Sequence, residues 1–215
     1  MVDFARALRA PPKPPPEVPW PIIGVSGHRP NKIGGYDRNN PLRRAIRARL
    51  QKEITALAKK PRPDLGTLHA HHVDNYLRQI SWLRPRPVSG PLLITGLALG
   101  IDQDAAGICA REGIQFIGAI PFPGQESRWP EPAQKIYSKI ISEYACGIVY
   151  VSHDAPADHT RASEMLHKRN EWICCAADEL IAVWDGTHGG TSSCVRYWRK
   201  FGKMEIRINP REIAA

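Results

Sequence analysis

The sequence predicts a single α/β domain, Rossmann-like, with three layers and a mostly parallel sheet. Apolar runs of strand length alternate along the chain with segments of helical periodicity. The runs are continuously apolar rather than alternating, which is typical of strands that helices cover on both faces. A chain of 215 residues can bury one sizeable core.

The elements follow from these patterns in chain order. Strands are predicted at 22–25, 92–95, 116–120, 148–151, 180–184 and 204–208. Asn40 and Pro41 are suited to begin the first helix, because Asn caps helix starts and Pro fits the first turn. The helix after the third predicted strand is expected to carry Ile136, Ile140 and Tyr144 on one face.

Two segments fall outside this alternation. Seven prolines between positions 11 and 21 predict a polyproline spacer, so residues 1–20 are read as a Pro-rich N-terminal tail and 21–215 as the domain. Residues 61–90 contain several prolines and are read as an insertion. The sequence shows neither a secretory signal nor a membrane-spanning run, and we expect the five cysteines to be reduced in a cytoplasmic protein.

Positive charge is concentrated in one stretch. Residues 29–62 hold eleven Lys or Arg against two acids, an excess equal to the net charge of +9 of the whole chain. Arg43, Arg44, Arg47 and Lys52 lie off the apolar stripe of the first helix, which predicts a basic outer face. A solvated face is one interpretation, and weak binding of nucleic acid through Arg43, Arg44 and Arg47 is the other, although no aromatic residues are interleaved.

The loops after the first, second and fifth strands are rich in glycine and polar residues, and ligands of parallel sheets bind outside the carboxyl ends of the strands. Glycine lets a phosphate approach the backbone, and the start of a helix offers free N–H groups. We therefore predict a phosphate-bearing ligand at these loops. The ligand-binding residues predicted here are Ser26, Gly27, His28, Arg29, Gly96, Gly100, Asp102, Asp185, Gly189, Gly190 and Thr191.

Several familiar sites do not fit. No Gly-Lys-Ser/Thr follows the glycines, as a P-loop requires, and no G-x-G-x-x-G follows the first strand, so ordinary NAD binding is not expected. His69, His71, His72 and Asp74 match no compact zinc spacing, and no metal is predicted. No cofactor is expected apart from the nucleotide-like ligand itself.

Taken in order, the motifs resemble the SLOG superfamily, most closely its YpsA-like branch. They comprise Ser26 to Pro30, Thr95 to Asp102, Arg169-Asn170 and Asp185 to Thr191. The resemblance implies a Rossmann-like domain that binds nucleotides or nucleotide-derived ligands, and it adds Arg169 and Asn170 to the predicted site. Relatives include the DNA-processing DprA proteins and the LOG enzymes, which release a base from a nucleoside monophosphate.

One position departs from the LOG pattern. The resemblance aligns Cys194 with the catalytic glutamate of those enzymes, and a thiol cannot stabilise cationic ribosyl character as a carboxylate does. We assign no catalytic residue and expect a ligand-binding, sensor-type protein that forms a homo-oligomer. Two alternatives stay open: a LOG-like phosphoribohydrolase or nucleotide hydrolase, and a DprA-like nucleic-acid-binding protein.

Overall fold

The apolar runs of the sequence assemble into one seven-stranded sheet. The computed structural model describes residues 20–64, 73–83 and 88–213. The strands are β1 (Ile22–Gly27), β2 (Ser81–Trp82), β3 (Leu92–Thr95), β4 (Gln115–Ile120), β5 (Gly147–Tyr150), β6 (Glu179–Val183) and β7 (Glu205–Ile208). Their order in the sheet is β2-β5-β4-β3-β1-β6-β7, and all pairs are parallel except β2 with β5 at one edge.

Strand β1 lies near the middle of the sheet. Its Val25 is in register with Thr95 of β3 on one side and Ile181 of β6 on the other, and all three are completely buried. Full burial on both faces explains why these strands are continuously apolar.

Helices cover both faces of the sheet. The main ones are α1 (Pro41–Ala58), α2 (Ile101–Glu112), α3 (Glu131–Lys139), α4 (His159–Ala176) and α5 (Gly190–Trp198), and a short α6 (Pro210–Ile213) follows β7. The cluster of core residues on one face comes from α1, α2 and α3, and the cluster on the other face from α4 and α5. This confirms the predicted α/β architecture. The predicted cap of α1 is also confirmed, since Oδ1 of Asn40 accepts hydrogen bonds from the backbone N–H groups of Leu42 and Arg43.

The connections place a crevice beside β1. The chain leaves β1 toward α1 on one face, whereas it leaves the neighbouring β6 toward α5 on the other face. At such a point the two loops diverge, and ligands of open α/β sheets bind there. The residues just after β1 and β6 therefore hold the position where a site is most expected.

The three side chains predicted to share one face of α3 differ in burial. Ile136 and Tyr144 are exposed, while Tyr137, Ile140 and Ile141 are buried. The helix continues as a π-helix over Ile140–Tyr144, so Tyr144 does not follow the 3.6-residue spacing that relates Ile136 to Ile140.

Two predicted segments lie partly outside the described residues. The tail at 1–19 and the histidines at 69–72 lie outside the described residues. Of the predicted insertion, Ser81–Trp82 forms the antiparallel edge strand β2. No helix within the described part of the chain is long and apolar enough to cross a membrane.

Candidate anion site at the start of α5

The glycines of the β3–α2 loop make room for the protein's own atoms. A Cβ built on Gly96 would lie 1.4 Å from Nη1 of Arg169. A Cβ built on Gly100, whose φ is +102°, would lie 2.5 Å from the carbonyl oxygen of His28. Both glycines are therefore required by close internal packing, whether or not a ligand approaches them.

The start of α2 is occupied by carboxylates. Asp102 and Asp104 lie in its first turn and are 5% and 1% exposed. Oδ2 of Asp102 accepts a hydrogen bond from the backbone N–H of Ala98, 3.3 Å away. Burial raises the pKa of Asp102, whereas Arg169 and Arg29 lower it. These acids already balance the positive end of the helix, so the β3–α2 loop offers little to a phosphate.

The start of α5 has the opposite character. Gly189 and Gly190 are exposed, and a Cβ on either would meet no atom within 4 Å in the part of the chain that the structure describes. The first turn of α5 contains no acidic residue, and no side chain caps its N–H groups. The first N–H groups of a helix lack partners within the helix, so this end is open to an anion.

Arg169 of α4 is connected to that open end. Its Nε donates to Oδ1 of Asn170 at 2.9 Å, and Nδ2 of Asn170 donates to the carbonyl oxygen of Gly190 at 3.2 Å. Nη1 of Arg169 is buried and has no hydrogen-bond partner among the described residues; the nearest carboxylate oxygen, on Asp102, is 3.7 Å away. Burial lowers the pKa of Arg169 and Asp102 raises it, but an arginine stays charged.

His28 and Asp185 join the loops after β1 and β6. Nε2 of His28 lies 2.7 Å from Oδ1 of Asp185 and 3.1 Å from the backbone nitrogen of the same residue. It donates to the carboxylate in the Nε2–H tautomer and accepts from the backbone N–H in the other. Burial lowers the pKa of His28 more than Asp185 raises it. Burial would raise the pKa of Asp185, but hydrogen bonds from Thr187 and His28 outweigh it and hold that pKa below its ordinary value. Arg211 adds an ion pair to Asp185 at 3.1 Å.

The other predicted residues belong to the loops and helix starts around the Arg169–Asn170 and His28–Asp185 pairs. Ser26 and Thr191 are buried, and Arg29 is exposed. Gly27 is required by packing, because a Cβ there would lie 2.5 Å from the side chain of Ile101. Gln125 was not predicted, although it follows β4 on the same sheet edge, and it donates to the carbonyl oxygen of Gly96 at 3.3 Å.

The predicted basic outer face of α1 needs correction. Arg43 is 5% exposed, and its Nε donates to Oδ2 of the buried Asp104 at 3.1 Å. Arg38 and Arg47 lie 3.0 and 3.8 Å from the same carboxylate. Of the three arginines predicted to contact nucleic acid, only Arg44 is exposed. Much of this positive charge therefore neutralises an internal acid instead of facing solvent.

Cys194 is completely buried one turn into α5. Its Sγ lies 3.6 Å from Sγ of Cys174, and its nearest charged neighbours include Arg169.

A cavity of about 360 Å³ lies elsewhere, beside Trp172 and Tyr150 near the end of β5, and none of the predicted site residues lines it.

A family model for DNA recombination-mediator protein A matches residues 80–214. The chain belongs to this family. It is 32% identical over 133 residues to the uncharacterized SPbeta prophage-derived protein YoqJ of Bacillus subtilis strain 168, covering 54% of this chain and 75% of that protein. It is also 23% identical over 177 residues to a UPF0398 protein of Bacillus pumilus, covering 79% and 76%.

Two solved structures share the fold. The DNA processing protein A of Streptococcus pneumoniae superposes with a TM-score of 0.52 at 13% identity, over 87% of this chain and half of that one. The protein of that name from Helicobacter pylori, which binds single-stranded DNA, also gives 0.52, at 16% identity over 94% and 74%. The match to the DNA recombination-mediator family agrees with the predicted resemblance to the SLOG superfamily, because that superfamily includes the DprA proteins.

Proposed function

We propose that this protein binds single-stranded nucleic acid, with one phosphate held at the start of α5 and beside Arg169. The observation that carries the proposal is the buried Nη1 of Arg169, which lacks an acceptor among the described residues. A buried donor without a partner costs roughly 1–3 kcal/mol, which a phosphate oxygen would offset. Asn170 connects this guanidinium to Gly190 through two hydrogen bonds, which places Arg169 beside the start of α5.

The local charge supports an anionic partner. Arg29 and Arg169 are close enough to interact with each other and with Asp102, so two cations face one buried carboxylate. The open N–H groups of α5 add a partial positive charge. Nucleic acid is favoured as the source of the phosphate because the chain belongs to the DNA recombination-mediator family and resembles in fold a protein that binds single-stranded DNA.

A second candidate is a free nucleotide or nucleotide-derived ligand in a sensor of the YpsA-like branch. The recessed position of Arg169, which is 6% exposed, favours it, because such a group reaches a terminal phosphate more easily than one inside a strand. The same pocket residues serve both candidates, so competition between the two ligands separates them.

Gly190→Asp tests the site directly. The position is open and the φ of Gly190 is not in the left-handed region, so the variant should fold while adding bulk and negative charge where the phosphate would lie. We expect binding of a fluorescent oligothymidylate, measured by anisotropy, to be lost. Gly90→Asp is the matched control, because Gly90 is equally open and precedes β3 at the far end of the strand.

Circular dichroism confirms that both variants are folded. A folded Gly190→Asp protein that binds the oligonucleotide like the parent would overturn the proposed site. Displacement of the oligonucleotide by a nucleoside monophosphate at comparable concentration would favour the free-nucleotide candidate.

A further inference from the structure

The exposed face of α5 and of the 3₁₀ turn that follows it, Arg199–Phe201, carries cations in line with the open end of the helix. Residues three or four apart share one face of a helix, so Arg196 follows Ser192 and Ser193, and Arg199 and Lys200 follow Arg196. All three cations are exposed. The row begins at Gly189 and is about 16 Å long at 1.5 Å per residue.

Flat groups lie beside this row on the same face of the sheet. The guanidinium of Arg207 on β7 lies 4.8 Å from the ring centroid of Trp184, and that of Arg199 lies 6.0 Å from the same ring. A Cβ on Gly186 would lie 3.2 Å from Nη2 of Arg207, so the stack adjoins the loop that leads into α5. Lys200 lies 5.3 Å from the ring of Tyr197.

These cations differ from those of α1. Arg199 pairs with Glu205 at 3.0 Å, but within the described residues Arg196, Lys200 and Arg207 have no carboxylate partner. The surface formed by Trp184, Arg196, Arg199, Lys200 and Arg207, here called the α5–β7 surface, therefore keeps a net positive charge.

We infer that single-stranded nucleic acid bound at the start of α5 continues along the α5–β7 surface. The inference rests on the proposed function and adds the course of the strand beyond its first phosphate. Arg196 and Lys200 are placed to contact backbone phosphates, and the Trp184–Arg207 stack presents planar groups to bases. Cations interleaved with planar groups suit a single strand, because its bases are free to stack, whereas duplex bases are not.

The test compares oligothymidylates of about 2 and about 20 nucleotides at several salt concentrations. In the triple variant Arg196→Gln/Lys200→Gln/Arg207→Gln, we expect weaker binding of the long oligonucleotide and a salt slope smaller by about 1.4, since Arg196 and Lys200 each lose a phosphate contact that contributes about 0.7. The short oligonucleotide should bind within about twofold of the parent, because it needs only the start of α5.

The matched control removes three exposed cations from α1, which lies on the opposite face of the sheet, and from the two residues after it: Lys52→Gln/Lys59→Gln/Lys60→Gln. It should leave the slope for the long oligonucleotide close to the parent's. Arg207→Lys separates stacking from charge, since it keeps the charge and loses the planar group. We expect that variant to lower affinity for the long oligonucleotide several-fold without changing the slope.

The outcomes distinguish failure of the proposed function from failure of the proposed path of the strand. If the parent binds neither oligonucleotide, the proposed function fails. If the parent binds both and the α5 triple variant keeps the parental slope, or if both triple variants weaken binding equally, the proposed function survives and the α5–β7 path is wrong. Duplex DNA binding with the same slope and affinity would overturn the preference for a single strand, and an oligouridylate arm shows whether RNA is accepted.

Discussion

The β3–α2 and β6–α5 loops look alike in sequence and differ in structure. Each joins a buried strand to a helix through glycines. In the first, Arg169 and the backbone of His28 occupy the space beside Gly96 and Gly100, and buried acids fill the first turn of α2. In the second, a Cβ built on Gly189 or Gly190 would meet no atom of the described residues within 4 Å.

The difference shows that a glycine between a strand and a helix has two distinct uses. It can admit a ligand, or it can admit the protein's own side chains and backbone. Charge in the first helical turn separates the two cases: α2 carries its own anions there, whereas α5 carries none. An open helix start without acids is therefore a better indicator of an anion site than glycine content.

The largest expected effect concerns the acids of α2. Asp104→Asn leaves Arg43 buried without its counterion, and breaking a buried ion pair in this way costs about 3–5 kcal/mol. We expect the free energy of unfolding, measured in urea, to fall by that amount. Glu53→Gln removes a partner of Arg49 from the more exposed surface of α1 and should cost less than about 1 kcal/mol. Equal losses in the two variants would contradict the structural role of Asp104.

The sequence was sufficient to predict the sheet and the approximate positions of its main strands. Apolar runs such as 92–95 and 180–184 identify buried strands, because only both-face burial removes the alternation of polar residues. The convergence of Arg169, Asn170 and Gly190 also agrees with the predicted grouping. Their role as ligand-binding residues stays a prediction.

Long-range partners could not be predicted. Arg43 lies next to the apolar stripe of α1, and its burial depends on Asp104, which is 61 residues away. A helical pattern treats such an arginine as exposed, because the pattern does not contain the opposing carboxylate. The packing role of Gly96 could not be predicted for the same reason, because it depends on the guanidinium of Arg169 from another helix.

The next effect compares glycines of the two loops. Gly96→Ala forces a Cβ against the Arg169 guanidinium, and overpacking of this kind costs about 1–3 kcal/mol. Gly190→Ala meets no atom and should change stability by less than about 0.5 kcal/mol. Thermal unfolding of both variants makes the comparison. A Gly96→Ala protein as stable as Gly190→Ala would show that Arg169 moves aside readily, and the contrast between the loops would be lost.

The smallest effect concerns the contact between His28 and Asp185. This contact connects the loop after β1 to the beginning of the β6–α5 loop. Burial lowers the pKa of His28, so below the ordinary value of about 6.5 the unfolded chain binds more protons there than the folded one. The stability linked to His28 is therefore present above about pH 6.5 and is lost as the pH falls through the lowered pKa. The depressed pKa of Asp185 acts in the same direction at lower pH, below about 3.9.

In His28→Gln, we expect the free energy of unfolding to depend less on pH between about 5 and 6.5 than it does in the parent. His188→Gln is the control, because His188 is exposed in the same loop. Urea denaturation at a series of pH values measures the slope for each protein. If His28→Gln kept the parental slope, or if His188→Gln also lost it, the buried contact with Asp185 would not be its source. A reduced slope in His28→Gln alone would show that the contact between His28 and Asp185 weakens in acid.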